Sequence, residues 1–169
     1  MEGSLVIRGE RPHDLAAVRA VNEAAFGQVD EADLVERLRA ERVVLLSLVA
    51  ELDSQVVGHV LFTRMTIESD GGALPAVSLA PLAVLPQHQR KGIGGRLIHA
   101  GLKILEDRRE QIVFVLGHPD YYPRFGFSSE KARHIESPFP PEAFMMLELG
   151  SGAGGCTRGK VRYPVAFGL

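Results

Sequence analysis

The chain has 169 residues, is 46% hydrophobic and 24% charged, and carries a net charge of −2 from 19 basic and 21 acidic side chains. At roughly 150 residues per domain this predicts one domain over 1–169, and the lone cysteine, Cys156, excludes an internal disulfide framework, as expected of a reducing, cytoplasmic setting. The near-neutral balance gives no electrostatic support for a nucleic-acid partner, and no apolar run approaches the roughly 20 residues needed to span a membrane.

At the start, MEGSLVIRGERPHD, Glu2 stands where a signal peptide carries positive charge, and no apolar stretch precedes Arg8. Leu5 to Gly9 reads as a first strand. A helix opens at Pro12 to Asp14, where proline and aspartate suit a first turn. Within it Leu15, Val18, Val21 or Asn22, Ala25 and Phe26 recur at helical spacing, and Gly27 is the stop. A second helix is expected from a cap at Asp30, with Leu34, Val35 and Leu38 on its buried stripe.

Long β-rich runs follow: Val43 to Leu52, a turn at Asp53 to Gln55, then Val56 to Ser69 closed by the Asp70-Gly71-Gly72 turn. The run from Ala76 to Leu85 is apolar throughout, as a strand buried on both faces is, and marks the centre of the sheet. Pro81 inside it cannot donate to a ladder, so a bulge or splay is predicted mid-strand. A helix from about Gly92 to Arg109, with Ile93, Leu97, Ala100 or Gly101, Ile104 and Leu105 as its stripe, leads into a strand at Ile112 to Leu116. Strand, glycine-containing turn, helix and strand form a βαβ unit with parallel strands and a right-handed crossover. The rest holds an aromatic segment at His118 to Phe127, a strand from Ala143 to Leu149, the loop GSGAGG and a last strand from Lys160 to Phe167. No spacing of Cys and His matches a structural zinc site, and no metal is expected.

Charge is unevenly placed along this order. Asp30 to Asp53 holds seven acids against Arg37, Arg39 and Arg42, whereas His88 to Arg109 holds six bases against Glu106 and Asp107. Two solvated helix faces would account for both.

The chemically informative stretch is LAVLPQHQRKGIGGRLI, residues 82–98. A glycine-rich turn between a buried strand and a basic helix suits phosphate, because glycines let backbone N–H groups approach and the helix N-terminus favours negative charge. A P-loop would need G-x-x-x-x-G-K-[ST], and a dinucleotide fingerprint would need a third glycine where Leu97 stands. What the segment matches is Q-x-x-G-x-G, written as Gln89, Gly92 and Gly94, entered from L-A-V-x-P and continued by a basic amphipathic helix. This resembles the coenzyme A-binding motif of the GNAT superfamily of acyl-CoA N-acyltransferases. GHPDYYPRFGF, residues 117–127, is similar to the Tyr-x-x-x-Gly-Phe element that the same family carries after the following strand, and the order of elements matches along nearly the whole chain.

The resemblance implies an α/β fold built on a mixed, mostly antiparallel sheet of about seven strands, with a splayed parallel pair and flanking helices. It implies acetyl-CoA as co-substrate. Backbone amides from Arg90 through Lys91, Gly92, Ile93, Gly94 and Gly95 to Arg96 would hold the pyrophosphate, with Gln89 framing the turn and Arg90, Lys91 and Arg96 supplying cations. The strand Leu82-Ala83-Val84 would offer its backbone to the pantetheine arm like an added strand. Tyr122, aligned against Gly126 and Phe127, takes the position from which the family's tyrosine protonates the departing thiolate; Tyr121 is the neighbouring structural alternative. Arg124, Phe125 and Phe127 are read as loop supports and core.

The base that takes a proton from the amine stays open among Glu51, Glu68, His59, His118 and a water chain. Cys156 as a ping-pong nucleophile runs against the family's direct transfer. The Gly27 to Asp30 turn and the Gly150 to Gly159 loop would wall the acceptor site, and the acidity of the first suits a cationic amine. The expected function is therefore acetyl transfer from acetyl-CoA to a primary amine of a small molecule or protein, by a monomer or homodimer with no membrane or nucleic-acid partner. A non-catalytic acyl-CoA-binding or regulatory module on the same fold is the alternative. Salt-dependent nucleic-acid binding on the basic helix is a third.

Overall fold

The computed structural model describes residues 3–150 and 158–169; Cys156 and the segment 151–157 of the glycine-rich loop lie outside the described residues. Strand β1 is Leu5–Gly9, and a short 3-10 turn at Pro12–Asp14 runs into helix α1, Leu15–Phe26. Next come α2 (Asp30–Glu41), β2 (Val44–Leu52), β3 (Gln55–Ser69) and β4 (Gly72–Val84). Helix α3 (Ile93–Asp107) precedes β5 (Ile112–Leu116), β6 (Ile135–Glu136), β7 (Phe144–Glu148) and β8 (Gly159–Arg162). Among the described residues no helix is long and apolar enough to cross a membrane.

The eight strands form one sheet in the order β1-β2-β3-β4-β5-β7, with β8 paired to the far end of β3 and β6 paired to β8. Most neighbours are antiparallel; β4 and β5 form the parallel pair at the centre, joined by α3, and the small β6–β8 pair is also parallel. The sheet has the expected mixed character, and its eighth member is the two-residue β6, too short to leave a periodic signal.

Period-two patterning sets the two faces. Val60 and Phe62 of β3 are fully buried against the stripe of α3 made by Ile93, Leu97, Ile98 and Leu105. Leu61, between them, faces the other way onto Val35 and Leu38 of α2. The approach of α3 to the sheet is closest at Gly101, where an added Cβ would lie 2.3 Å from the Phe62 ring.

Turn chemistry explains most boundaries. Gly27 ends α1 at φ +68°, its N–H donating to Glu23 O at 2.9 Å. Asp53 and Ser54 both adopt positive φ, the two-residue hairpin whose twist matches its strands, so β3 begins at Gln55. Two expectations shift. Asp30 is the first residue of α2 instead of its cap, and with Glu31 and Asp33 it puts carboxylates in the first turn, where the helix dipole favours them. The last strand stops at Arg162 because Pro164 cannot join a ladder; a 3-10 turn at Val165–Phe167 follows, its Val165 and Ala166 N–H groups donating to the Glu41 carboxylate at 3.0 and 2.8 Å.

The predicted irregularity at Pro81 is present. The β3–β4 register passes from Val60↔Leu82 to Phe62↔Leu79, so β4 carries one extra residue and bulges around Ala80 and Pro81. Its parallel pairing to β5 extends only over Val77↔Val113 and Ser78↔Phe114. Beyond Ser78 the two strands diverge while β5 continues to pair with β7 through Leu116↔Phe144.

Candidate functional site

The divergence leaves one edge of β4 without a strand partner among the described residues. Leu85 N–H donates to Val57 O at 2.9 Å, and with His59↔Ala83 in register, alternation along the strand points the backbone of Ala83 at β3 and that of Leu82 and Val84 into the gap. Gln89 Nε2 donates to Val84 O at 2.9 Å, which folds the following turn back on the strand end. In that turn Arg90 stands at φ +63° and Gly92 at φ +80°, a left-handed conformation that a glycine adopts without strain.

Helix α3 starts directly behind Gly92. Its first intrahelical bond runs from Arg96 N–H to Gly92 O at 3.1 Å, so the N–H groups of Ile93, Gly94 and Gly95 have no acceptor within the helix and point out of its positive end. Together these elements enclose a cavity of about 820 Å³ lined by Leu82, Val84, Gln89, Arg90, Gly92, Ile93, Gly94, Gly95 and Arg96. Of the other cofactor positions singled out in the sequence, Lys91, Ala83 and Tyr122 are absent from this lining. Ala83 is buried, and its backbone faces β3, opposite His59.

Five further residues line it: His88 and His99, to which the sequence assigned no role, Tyr121, expected as the structural alternative to Tyr122, and Arg124 and Phe125, expected as loop supports and core. His99 lies one turn beyond Gly95 on α3 and stacks edge-on with Phe125 at 5.1 Å, a pairing whose only sequence trace is the helical spacing from the glycines. Arg124 sits 4.8 Å over the Tyr121 ring, and its Nε donates to Tyr121 O at 3.0 Å.

A second cavity, of about 540 Å³, opens on the other side of the gap. It is bounded by Ser78 to Leu82 of β4, by Leu116, Gly117 and His118 at the end of β5, and by Tyr121 and Tyr122. Phe26 and Glu31, which flank the Gly27 to Asp30 turn, close it together with Leu34, Phe139, Tyr163, Phe167 and Leu169. Leu82 and Tyr121 belong to both cavities, so the two meet where β4 leaves β5. Of the glycine-rich loop expected to wall this site, Arg158 and Gly159 lie instead beside Glu68 at the far end of β3.

The tyrosines divide the space. A Cβ on Gly94 would lie 2.9 Å from the Tyr121 hydroxyl, so that phenol packs on the start of α3. Tyr122 lines the second cavity alone, its ring edge-on to Tyr121 at 5.1 Å and laid over Gly117. Burial raises both phenols, that of Tyr122 to about 12, so each remains a proton donor at neutral pH.

Only one of the four candidate bases reaches either cavity. His59 is fully buried; its Nδ1 meets Asn22 Nδ2 at 3.1 Å and its Nε2 meets Ser47 Oγ at 3.0 Å. Ser47 in turn donates to Glu10, which Arg39 holds with both guanidinium nitrogens at 2.5 Å. Glu51 is paired to Arg8 at 2.5 Å, and Glu68 to Arg162 at 2.9 Å. His118 lines the second cavity.

A profile of the acetyltransferase (GNAT) domain matches residues 6–129. The chain is 42% identical over 134 residues to the uncharacterised N-acetyltransferase YjhQ of Escherichia coli K12, covering 76% of this chain and 74% of that one. It is 33% identical over 166 residues to YhbS of the same strain, also named as an N-acetyltransferase, covering 96% and 98%. A crystal structure of Escherichia coli YhbS in complex with CoA superposes with TM-score 0.90 at 31% identity, over 100% of this chain and 93% of that one. A GNAT family acetyltransferase from Brucella melitensis in complex with acetyl-CoA superposes with TM-score 0.82 at 37% identity, over 97% and 98%. A bulged, splayed β4, a glycine-rich turn that opens α3 and relatives aligned along almost the full length agree on one assignment: the chain belongs to the GNAT family of N-acetyltransferases.

Proposed function

We propose that the chain binds acetyl-CoA in the first cavity and transfers the acetyl group directly to a primary amine presented in the second. The observation that carries this reading is the gap beyond Ser78, where two cavities share Leu82 and Tyr121 and, among the described residues, no strand occupies the edge of β4. The first cavity fits the co-substrate: three helix N–H groups without intrahelical acceptors face it, Arg90 and Arg96 line it, and glycines at 92, 94 and 95 keep side chains out of the approach. Lys91 adds a cation on the same turn. The relatives crystallised with CoA and acetyl-CoA support the same ligand.

In this reading the N–H groups of Leu82 and Val84 bind the pantetheine arm as an added strand would, and one of them polarises the thioester carbonyl. The amine nitrogen forms a bond to the carbonyl carbon as the carbon–sulfur bond breaks. Tyr122 gives its phenolic proton to the departing thiolate. A primary amine with a pKa of about 10 is mostly protonated at pH 7 and must lose a proton before it attacks. His118, the one candidate base that lines the acceptor cavity, takes that proton.

The test is a binding and turnover pair. Acetyl-CoA raises the melting temperature and NAD does not, and thiol release from acetyl-CoA depends on added amine. Binding without amine-dependent thiol release would instead identify a non-catalytic acyl-CoA module. Nucleic-acid binding that free CoA fails to displace would move the basic face of α3 to another role.

A further inference from the structure

The second cavity is chemically one-sided, and this narrows the acceptor. Among its described lining residues Glu31 carries the sole acidic side chain, and no lysine or arginine is present. Gln28 Nε2 donates to both Glu31 oxygens at 2.9 and 3.1 Å, and the residue sits in the first turn of α2, where the helix dipole stabilises its negative charge. The rest is mostly ring and aliphatic surface. Phe139 and Tyr163 pack edge-on at 5.5 Å and Tyr163 and Phe167 at 5.1 Å, forming a connected wall, with Tyr121 and Tyr122 as a second aromatic pair in the same lining.

An ammonium entering such a space loses hydration that apolar walls do not replace, so it needs a paired carboxylate or aromatic faces. Glu31 can neutralise one cation. A polyamine or an aminoglycoside would bring several and leave the rest unpaired in an aromatic lining. A peptide would bring backbone N–H and C=O groups to walls with few polar partners. A volume of about 540 Å³ suits a small organic body.

We infer that the acceptor is a small monoamine whose single ammonium pairs with Glu31 and whose body is aromatic or alkyl, packed between the Tyr121–Tyr122 pair and the Phe139–Tyr163–Phe167 wall. This rests on the acetyltransferase reading and deepens it. Glu31 is a positioning residue, holding the amine before His118 takes its proton.

The experiment compares 2-phenylethylamine and hexylamine with spermidine, an aminoglycoside and a lysine-containing peptide. Thiol release from acetyl-CoA is followed, and direct binding of each amine is measured by calorimetry. The expected result is kcat/KM at least about tenfold higher for the two apolar monoamines. Glu31→Gln raises their KM about tenfold with a smaller change in kcat and an unchanged KM for acetyl-CoA, and Glu31→Asp recovers part of the loss. A preference for spermidine, the aminoglycoside or the peptide overturns the inference while leaving the acetyltransferase reading intact. So does an unchanged amine KM in Glu31→Gln. If no amine supports thiol release, the acetyltransferase reading itself fails, and calorimetric binding of 2-phenylethylamine that is lost in Glu31→Gln decides separately whether the cavity recognises such amines.

Discussion

Two side chains of one residue type, Tyr121 and Tyr122, stand side by side with different surroundings. The first touches both cavities and packs on Gly94, whereas the second lines the second cavity alone. Assigning the proton to Tyr122 predicts that Tyr122→Phe lowers kcat by about 10²-fold or more, and that Tyr121→Phe costs less in steady-state assays. The reverse order would move the proton to Tyr121. Because burial lifts Tyr122 to about 12, the rate should rise with pH as the amine loses its proton and show no alkaline fall from this group below about pH 11. His59 acts on stability. Burial depresses its pKa to about 4, so the unfolded chain takes up a proton near pH 6.5 while the folded chain stays neutral. Stability is therefore full above pH 6.5 and falls by roughly 3 kcal/mol as pH drops toward 4, which urea titrations across that range measure. Asp14 falls in a lower window. Its pairing with Arg8 holds it near 2, so its contribution is lost only below about pH 4.

At the level of single elements, α3 combines an end that lines the first cavity and a packing face whose failures are separable. Gly92 stands at φ +80° at the mouth of the first cavity, so Gly92→Val strains the turn and crowds the approach to the free N–H groups. Acetyl-CoA affinity should be abolished in calorimetry; retained affinity would remove the pyrophosphate from this turn. Gly101, on the buried face, would press any Cβ into Phe62, and Gly101→Val should lower the urea midpoint by an amount equivalent to about 1–3 kcal/mol. Much of this helix was legible, because its stripe has strong periodicity and its start carries a glycine signature. Strand β6 was not. Two residues hold no period, and Ile135–Glu136 form a strand only because β8 runs alongside them. The Asp30 cap was misread for a similar reason: the residue type suits both a cap and a first turn, and only the chain path through Val29 selects between them.

For the whole molecule, the gap between β4 and β5 joins segments far apart in sequence. Ligand binding there should be read by the entire fold: acetyl-CoA at about 100 times its Kd adds roughly 2.7 kcal/mol, or about 5–10 °C in Tm for a chain of this size. An equal shift with NAD would contradict the cofactor assignment. The opening net charge of −2 concealed two opposed regions, and tertiary structure gives each a place: Arg90 and Arg96 line one cavity and Glu31 the other. From the sequence alone came the strands and helices with clear period, the bulge at Pro81, the Q-x-x-G-x-G turn and the candidate tyrosines, because each depends on neighbours a few residues away. Tertiary structure alone decided which candidate base reaches the second cavity, which tyrosine borders both spaces, and that Phe26, Glu31, Phe139, Tyr163 and Phe167 share one lining. Those relations depend on where β4 parts from β5 and on how distant segments pack around the opening, and no local pattern of residues encodes such distances.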